Sequence, residues 1–130
     1  MKRQDAGSAG FADQTGGLTA FCPEFHSAVE LIGRRWTGAI LRAMMSGINR
    51  FSDLSATIPG LSDKMLSERL KELELRGIVV RRVIPETPVR IEYELTGKGR
   101  DLQEVVQAIA DWTGRWAEGI PAPARESPAA

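Results

Sequence analysis

The sequence predicts an α+β fold, mostly helical, with a single β-hairpin. Three observations carry that prediction. Between Pro23 and Arg76 the apolar residues of the 130-residue chain recur three and four positions apart, the period of a helix with one face buried. From Ile78 to Leu95 the period falls to two, as in half-buried strands. After Thr96 the helical period returns in a longer stripe. At this length the chain suits one domain, which buries roughly two-thirds of its unfolded surface and needs no staples.

The first twenty residues are polar, small and glycine-rich and read as a flexible arm, leaving 21–118 as the domain and 119–130, with Pro121, Pro123 and Pro128, as a tail. Cys22-Pro23 starts the first helix, since proline at the first helical position gives up no needed donor. Phe25, Val29 and Ile32 form its apolar face, expected to be buried, and Gly33 stops it. The second helix runs from about Trp36 to Met45 with Trp36, Ile40, Leu41 and Met44 inward, and ends at Gly47. Ser52 is placed to cap a short third helix that turns Leu54 and Ile58 inward and halts at Pro59-Gly60.

Ser62 caps the fourth helix, Asp63 suits its first turn, and Gly77 closes it. Leu66, Leu70 and Leu73 are its buried stripe; Lys64, Ser67, Glu68 and Lys71 lie opposite, with Met65 and Arg69 at the borders. Two β-rich runs follow, joined by the proline-stiffened turn Pro85-Glu86-Thr87-Pro88. Thr96 caps a final helix bearing Leu102, Val105, Val106, Ile109, Trp112 and Trp116, with Gly97 and Gly99 weakening its start.

Charge and cysteine usage narrow the functions available. The chain has 17 basic and 17 acidic side chains, yet residues 33–100 hold thirteen basic against eight acidic ones, an excess of five positive charges. A positive middle segment is the footprint of a nucleic-acid face, although mixed charges also make an ordinary solvated surface. One cysteine and one histidine exclude an internal disulfide framework and any zinc finger built from those ligands. No metal or cofactor is expected. No apolar run reaches the roughly 20 residues of a membrane helix and no signal peptide is evident, so the expectation is a soluble, cytoplasmic protein. A phosphate-cradling glycine loop is missing, and nothing orients the lone cysteine and histidine for catalysis, which argues against an enzyme.

Helix, helix, short helix, longer helix and hairpin, in that order, make a winged helix-turn-helix: the third helix and Pro59-Gly60-Leu61 aim the fourth, and the hairpin is a two-stranded wing. The run from Cys22 to about Trp116 resembles the HxlR-type transcriptional regulators, a branch near the MarR-type winged-helix proteins. The matching pieces are CPEF at 22–25, LIGRRWTGAILRAM at 31–44, RFSDL at 50–54, IPGLSDKMLSERLKELELRGIV at 58–79 and YELTGKGRDL at 93–102. The resemblance covers roughly three-quarters of the chain. It implies a dimeric bacterial DNA-binding repressor or activator.

Within that architecture Ser62, or the amides beside it, is placed to take a phosphate. Lys64, Met65, Ser67 and Glu68 are candidates for base edges, Glu68 being the open case because its charge repels phosphates. Arg69 and Lys71 would hold the backbone, unless Arg69 pairs instead with Glu72. Arg50 and Ser52 are phosphate candidates at the start of the short helix, and Arg90 beside the wing tip is a candidate for phosphate or minor groove. Arg81 and Arg82 are successive strand positions and face opposite sides, so only one can meet the duplex. Phe25, Val105, Ile109, Trp112 and Trp116 are expected at a dimer interface of the flanking helices, over a pseudo-palindromic DNA site, and the tryptophan spacing argues for packing rather than base stacking. Cys22 lies at a helix N-terminus, and some members of the family sense oxidants or electrophiles with the cysteine at this position; a small structural residue is the alternative. His26, one turn on, reaches the thiol only if its ring folds back. A winged helix that binds proteins rather than specific DNA is the competing function.

Overall fold

A computed structural model describes residues 20–116. The arm expected over 1–20 (Ala20 apart) and the tail expected over 119–130 lie outside the described residues. One structural unit ends at Arg34 and a second begins at Arg35.

The described part of the first unit is the helix α1, Pro23–Ile32. Cys22 is its N-cap: the sulfur accepts the Phe25 N–H at 3.5 Å, with Pro23 next in the chain. The expected burial of Phe25, Val29 and Ile32 does not occur within one copy of the chain. No residue of α1 is buried; Phe25 and Val29 are exposed and Ile32 is half-buried. Periodicity records which face a helix can bury, not whether the same chain supplies the cover.

The second unit opens on Trp36, whose φ of 79° puts a bulky residue in the left-handed region as the N-cap of α2, Thr37–Met45. Ile40, Leu41, Ala43 and Met44 are buried, while Trp36 is half-buried. Gly47, at φ 104°, lets the chain leave α2 with Gly47 N–H donating to the Met44 carbonyl at 3.0 Å and Ile48 N–H to that of Ala43 at 3.1 Å. The helix α3 spans Phe51–Thr57. Arg50 rather than Ser52 is its N-cap, with extended backbone and no side-chain cap bond; Ser52 lies inside the first turn and is exposed.

The helix α4, Asp63–Leu75, has the limits that Ser62 and Gly77 foretell. The Ser62 hydroxyl accepts the Met65 N–H at 3.1 Å. At the other end Gly77 N–H donates to the Glu74 carbonyl at 3.0 Å and Ile78 N–H to that of Leu73 at 2.8 Å, and the Leu73 and Ile78 side chains are both buried. This paired closure with its apolar contact is the Schellman arrangement. Strands β1 (Val79–Ile84) and β2 (Arg90–Leu95) pair antiparallel from Val79 opposite Leu95 to Ile84 opposite Arg90. Arg50 bridges Glu92, and Tyr93 N–H donates to the Asn49 carbonyl at 2.8 Å, so the segment before α3 is tied to the sheet.

The single final helix expected after Thr96 is two helices. Thr96 caps α5, Gly97–Asp101, accepting the Gly99 N–H at 3.1 Å and donating to the Gly77 carbonyl at 2.6 Å. The chain turns at Leu102 before α6, Gln103–Arg115. Gly99 is buried, and a Cβ there would collide with the Ile78 carbonyl oxygen. The glycine therefore marks a close approach of α5 to the end of the turn after α4, rather than only a weak helix start. The core of this unit is formed by Ile40, Leu41, Leu54, Leu66, Leu70, Leu73, Val79 and Tyr93. Among the described residues no helix is long and apolar enough to cross a membrane.

Candidate nucleic-acid interface

The turn before α4 is where the sequence sets the geometry of the site. Ile58 and Leu61 are buried at its two ends, and Leu61 N–H donates to the Ile58 carbonyl at 3.4 Å. Pro59 holds the second position and Gly60, at φ 86°, the third, the pattern of a type II turn. Pro59 also forces Ile58 out of helical conformation, which ends α3. A second tie crosses the turn: the Ser55 hydroxyl donates to the Asp63 carboxylate at 2.6 Å. The angle between α3 and the first turn of α4 is thus fixed by backbone, side chains and two buried apolar anchors.

With Leu66, Leu70 and Leu73 buried, the opposite face of α4 is solvent-facing. Ser62, Lys64, Ser67, Glu68 and Lys71 are exposed there, and Met65 is half-buried. Lys64 and Lys71 are seven positions apart, two turns along the same side. Arg50 and Ser52 are exposed at the start of α3. This surface offers cations, hydroxyls and one carboxylate on a rod narrow enough for a major groove about 12 Å wide.

Two candidates from the sequence are placed differently. Arg69 is buried at 8% exposure, its Nε donating to the Arg35 carbonyl at 2.8 Å and its guanidinium 3.3 Å from Glu72. It faces the interior rather than a DNA phosphate, and of the two roles open to it the pairing with Glu72 is the one observed. The accepting residue, Arg35, adjoins Trp36, which takes the left-handed conformation, and its guanidinium lies 5.4 Å from the Trp36 ring centre. Arg90 does stand at the wing, but between two carboxylates: Nη2 lies 3.2 Å from Glu86 and Nε 2.9 Å from Glu92. Arg82 is likewise held, 2.8 Å from Glu94, whereas Arg81 is exposed on the other face of the hairpin. The Ser55–Asp63 tie and the Arg50–Glu92 backbone bridge have no signal in the sequence, and the closeness of Gly99 to Ile78 has only the glycine itself.

At α1 the thiol of Cys22 donates to the Glu24 carboxylate at 3.4 Å. His26 does not fold back on it: the ring stands 5.5 Å from that of Phe21, and Nε2 lies 3.6 Å from Glu30.

A short helix joined by a tight turn to a capped, outward-facing helix, with a hairpin alongside, defines a winged helix-turn-helix DNA-binding protein. The particular family follows from comparison: a family model described as HxlR-like helix-turn-helix matches residues 31–120. The HTH-type transcriptional regulator YvaP of Bacillus subtilis is 50% identical over 95 residues, covering 73% of this chain and 88% of that protein. The reduced form of the transcriptional regulator YodB from B. subtilis superimposes with a TM-score of 0.67 at 48% identity, over 78% of this chain and 99% of YodB. Quinone-bound YodB gives a TM-score of 0.64 at 44% identity, over 73% and 99%. The chain belongs to the HxlR-like helix-turn-helix family and is a transcriptional regulator rather than an enzyme.

Proposed function

We propose that the protein acts as a homodimer on a roughly palindromic DNA site, with the outer face of α4 in the major groove and the hairpin against the flanking backbone. The observation that carries this reading is the division of α4 itself. Leu66, Leu70 and Leu73 are enclosed while Ser62, Lys64, Ser67 and Lys71 stay open to solvent on a helix held rigidly by its cap and turn. Lys64 and Ser67 read base edges, and Lys71, Arg50 and Ser52 hold phosphates. Pairing two copies through Phe25 of α1, Val105, Ile109 and Trp112 of α6, and Trp116 at its C-cap covers apolar side chains that one copy leaves exposed. It also sets two recognition helices about 34–36 Å apart, over successive major grooves. Repression is the expected output, by occlusion of the promoter.

Selection of duplexes from a random library tests the proposal. The wild-type protein should enrich a two-fold related sequence and bind it in a strongly salt-dependent way. Lys64→Ala should lose about 1–3 kcal/mol of preference for that sequence over a scrambled one. Recovery of no preferred sequence, or an unchanged preference in Lys64→Ala, contradicts it.

A response to electrophiles is the second part of the reading, supported by the thiol's place at the N-cap of α1 and by the likeness to quinone-bound YodB. The Cys22 thiolate would add to a quinone ring carbon and form an S–C bond. The displaced electron pair moves to one quinone oxygen, which takes a proton from solvent, and transfer of the ring-carbon proton to the second oxygen leaves a hydroquinone thioether. Quinone should alter DNA binding of the wild type and leave Cys22→Ser unaffected. An equal response in both proteins removes Cys22 from the account.

A further inference from the structure

The wing holds its least exposed arginine, Arg90, in a way that bears on specificity. Opposite and alternate positions place Arg82, Glu92, Glu94 and Arg90 on one face of the hairpin, and the bridge at Glu92 adds Arg50 to the same row. With Glu86 from the turn, that face carries as many carboxylates as guanidiniums. Arg90 is the most shielded: separate nitrogens face Glu86 and Glu92, the side chains of Arg90 and Glu92 are only 31% and 23% exposed, and the buried Nε, though 2.9 Å from Glu92, makes no hydrogen bond. Pairs so shielded interact more strongly than the open-surface kind. Lys64, Lys71, Arg50 and Arg81, by contrast, are exposed and form no ion pair among the described residues.

We propose that Glu86 and Glu92 are specificity-determining residues that compete with DNA phosphates for Arg90. The inference rests on the DNA-binding reading above. Non-specific affinity comes from cations that neutralise phosphates whatever the sequence. The uncommitted lysines and arginines supply that attraction on any duplex. Arg90 does not, because a phosphate must first displace a carboxylate and then tolerate it nearby. On a matched site α4 is seated on base edges and holds the wing at one fixed distance from the backbone, where the exchange is compensated. On unmatched DNA no fixed register exists and Arg90 stays with its carboxylates. The glutamates therefore weaken wrong complexes more than the right one, the general logic of selectivity by penalty.

The experiment uses the full chain and two short duplexes, one selected on the wild-type protein and one with the same bases scrambled, titrated across a series of salt concentrations. Glu86→Gln and the double variant Glu86→Gln/Glu92→Gln should bind the scrambled duplex about three- to tenfold more tightly and steepen its salt dependence by about 0.9 in log–log slope, one phosphate's worth. Their gain on the selected duplex should be smaller, so that discrimination falls. In an Arg90→Gln background the gain should vanish, which separates competition for Arg90 from a general loss of negative charge. The proposal is overturned if the gain survives without Arg90. It is also overturned if neither glutamine variant gains affinity, or if both lose it, since the carboxylates would then brace Arg90 for binding. Glu86→Gln alone, at the exposed turn, decides the matter should the double variant fold poorly. A wild-type protein that binds neither duplex removes the DNA-binding reading itself, an outcome distinct from the others.

Discussion

Arg69 shows what one side chain's surroundings can reverse. It lies in a charged stretch, Ser67 to Lys71, whose other polar members face solvent, yet its guanidinium is enclosed and spans α4 to the Arg35 carbonyl. Replacing it with methionine keeps the stem but removes a buried donor to that carbonyl and a partner of Glu72. Unfolding in denaturant should then reveal a loss of about 1–3 kcal/mol. Unchanged stability with a selective loss of DNA affinity would return Arg69 to the binding face. The sequence could not expose this role, because the decisive acceptor lies 34 residues away. Ser62 was legible for the opposite reason: its hydrogen bond closes over three residues. Glu72, three residues on, is within helical reach of Arg69, but reach alone does not decide between a solvated pair and a buried one. Arg90 is similar, since its carboxylates lie within four residues but the turn geometry that joins them is not written in the spacing.

At the scale of elements, the limits of α2 and α4 were readable because glycine in the left-handed region closes both, and the hairpin because alternation and a proline-rich turn coincide. The break between α5 and α6 was less legible. Its physical reason is tertiary: α5 is drawn against the Ile78 carbonyl, where Gly99 leaves room, and Lys98 Nζ donates to the Arg76 carbonyl at 2.7 Å. The turn between α3 and α4 is the element on which function depends most. Gly60→Ala places a side chain at φ 86° and should destabilise the protein by about 1–2 kcal/mol. It should also reduce DNA affinity at temperatures where the variant remains folded, because the start of α4 is re-aimed. Thermal melting and duplex titration check the two effects. A variant with native melting and native affinity would show that the turn does not set the angle.

For the whole molecule, the apolar stripes left open on α1 and α6 are the largest discrepancy between pattern and single-chain structure. Val105, Ile109, Trp112 and Trp116 follow helical spacing yet remain more than 40% exposed. Monomeric proteins rarely leave such a contiguous stripe in water. If a second copy covers it, Ile109→Glu should shift the protein from dimer to monomer in sedimentation velocity and weaken binding to the two-fold site by far more than to an isolated half. A native dimer in Ile109→Glu would place the contact elsewhere.

Lysine acetylation with and without the selected duplex tests most directly whether the outer face of α4 lies on DNA. Lys64 and Lys71 are exposed on that face, while Lys98, bonded to the Arg76 carbonyl, serves as an internal reference. Bound DNA should suppress acetylation of Lys64 and Lys71 and leave Lys98 unchanged. Full reactivity of Lys64 and Lys71 in the bound complex would contradict the placement of α4 in the groove.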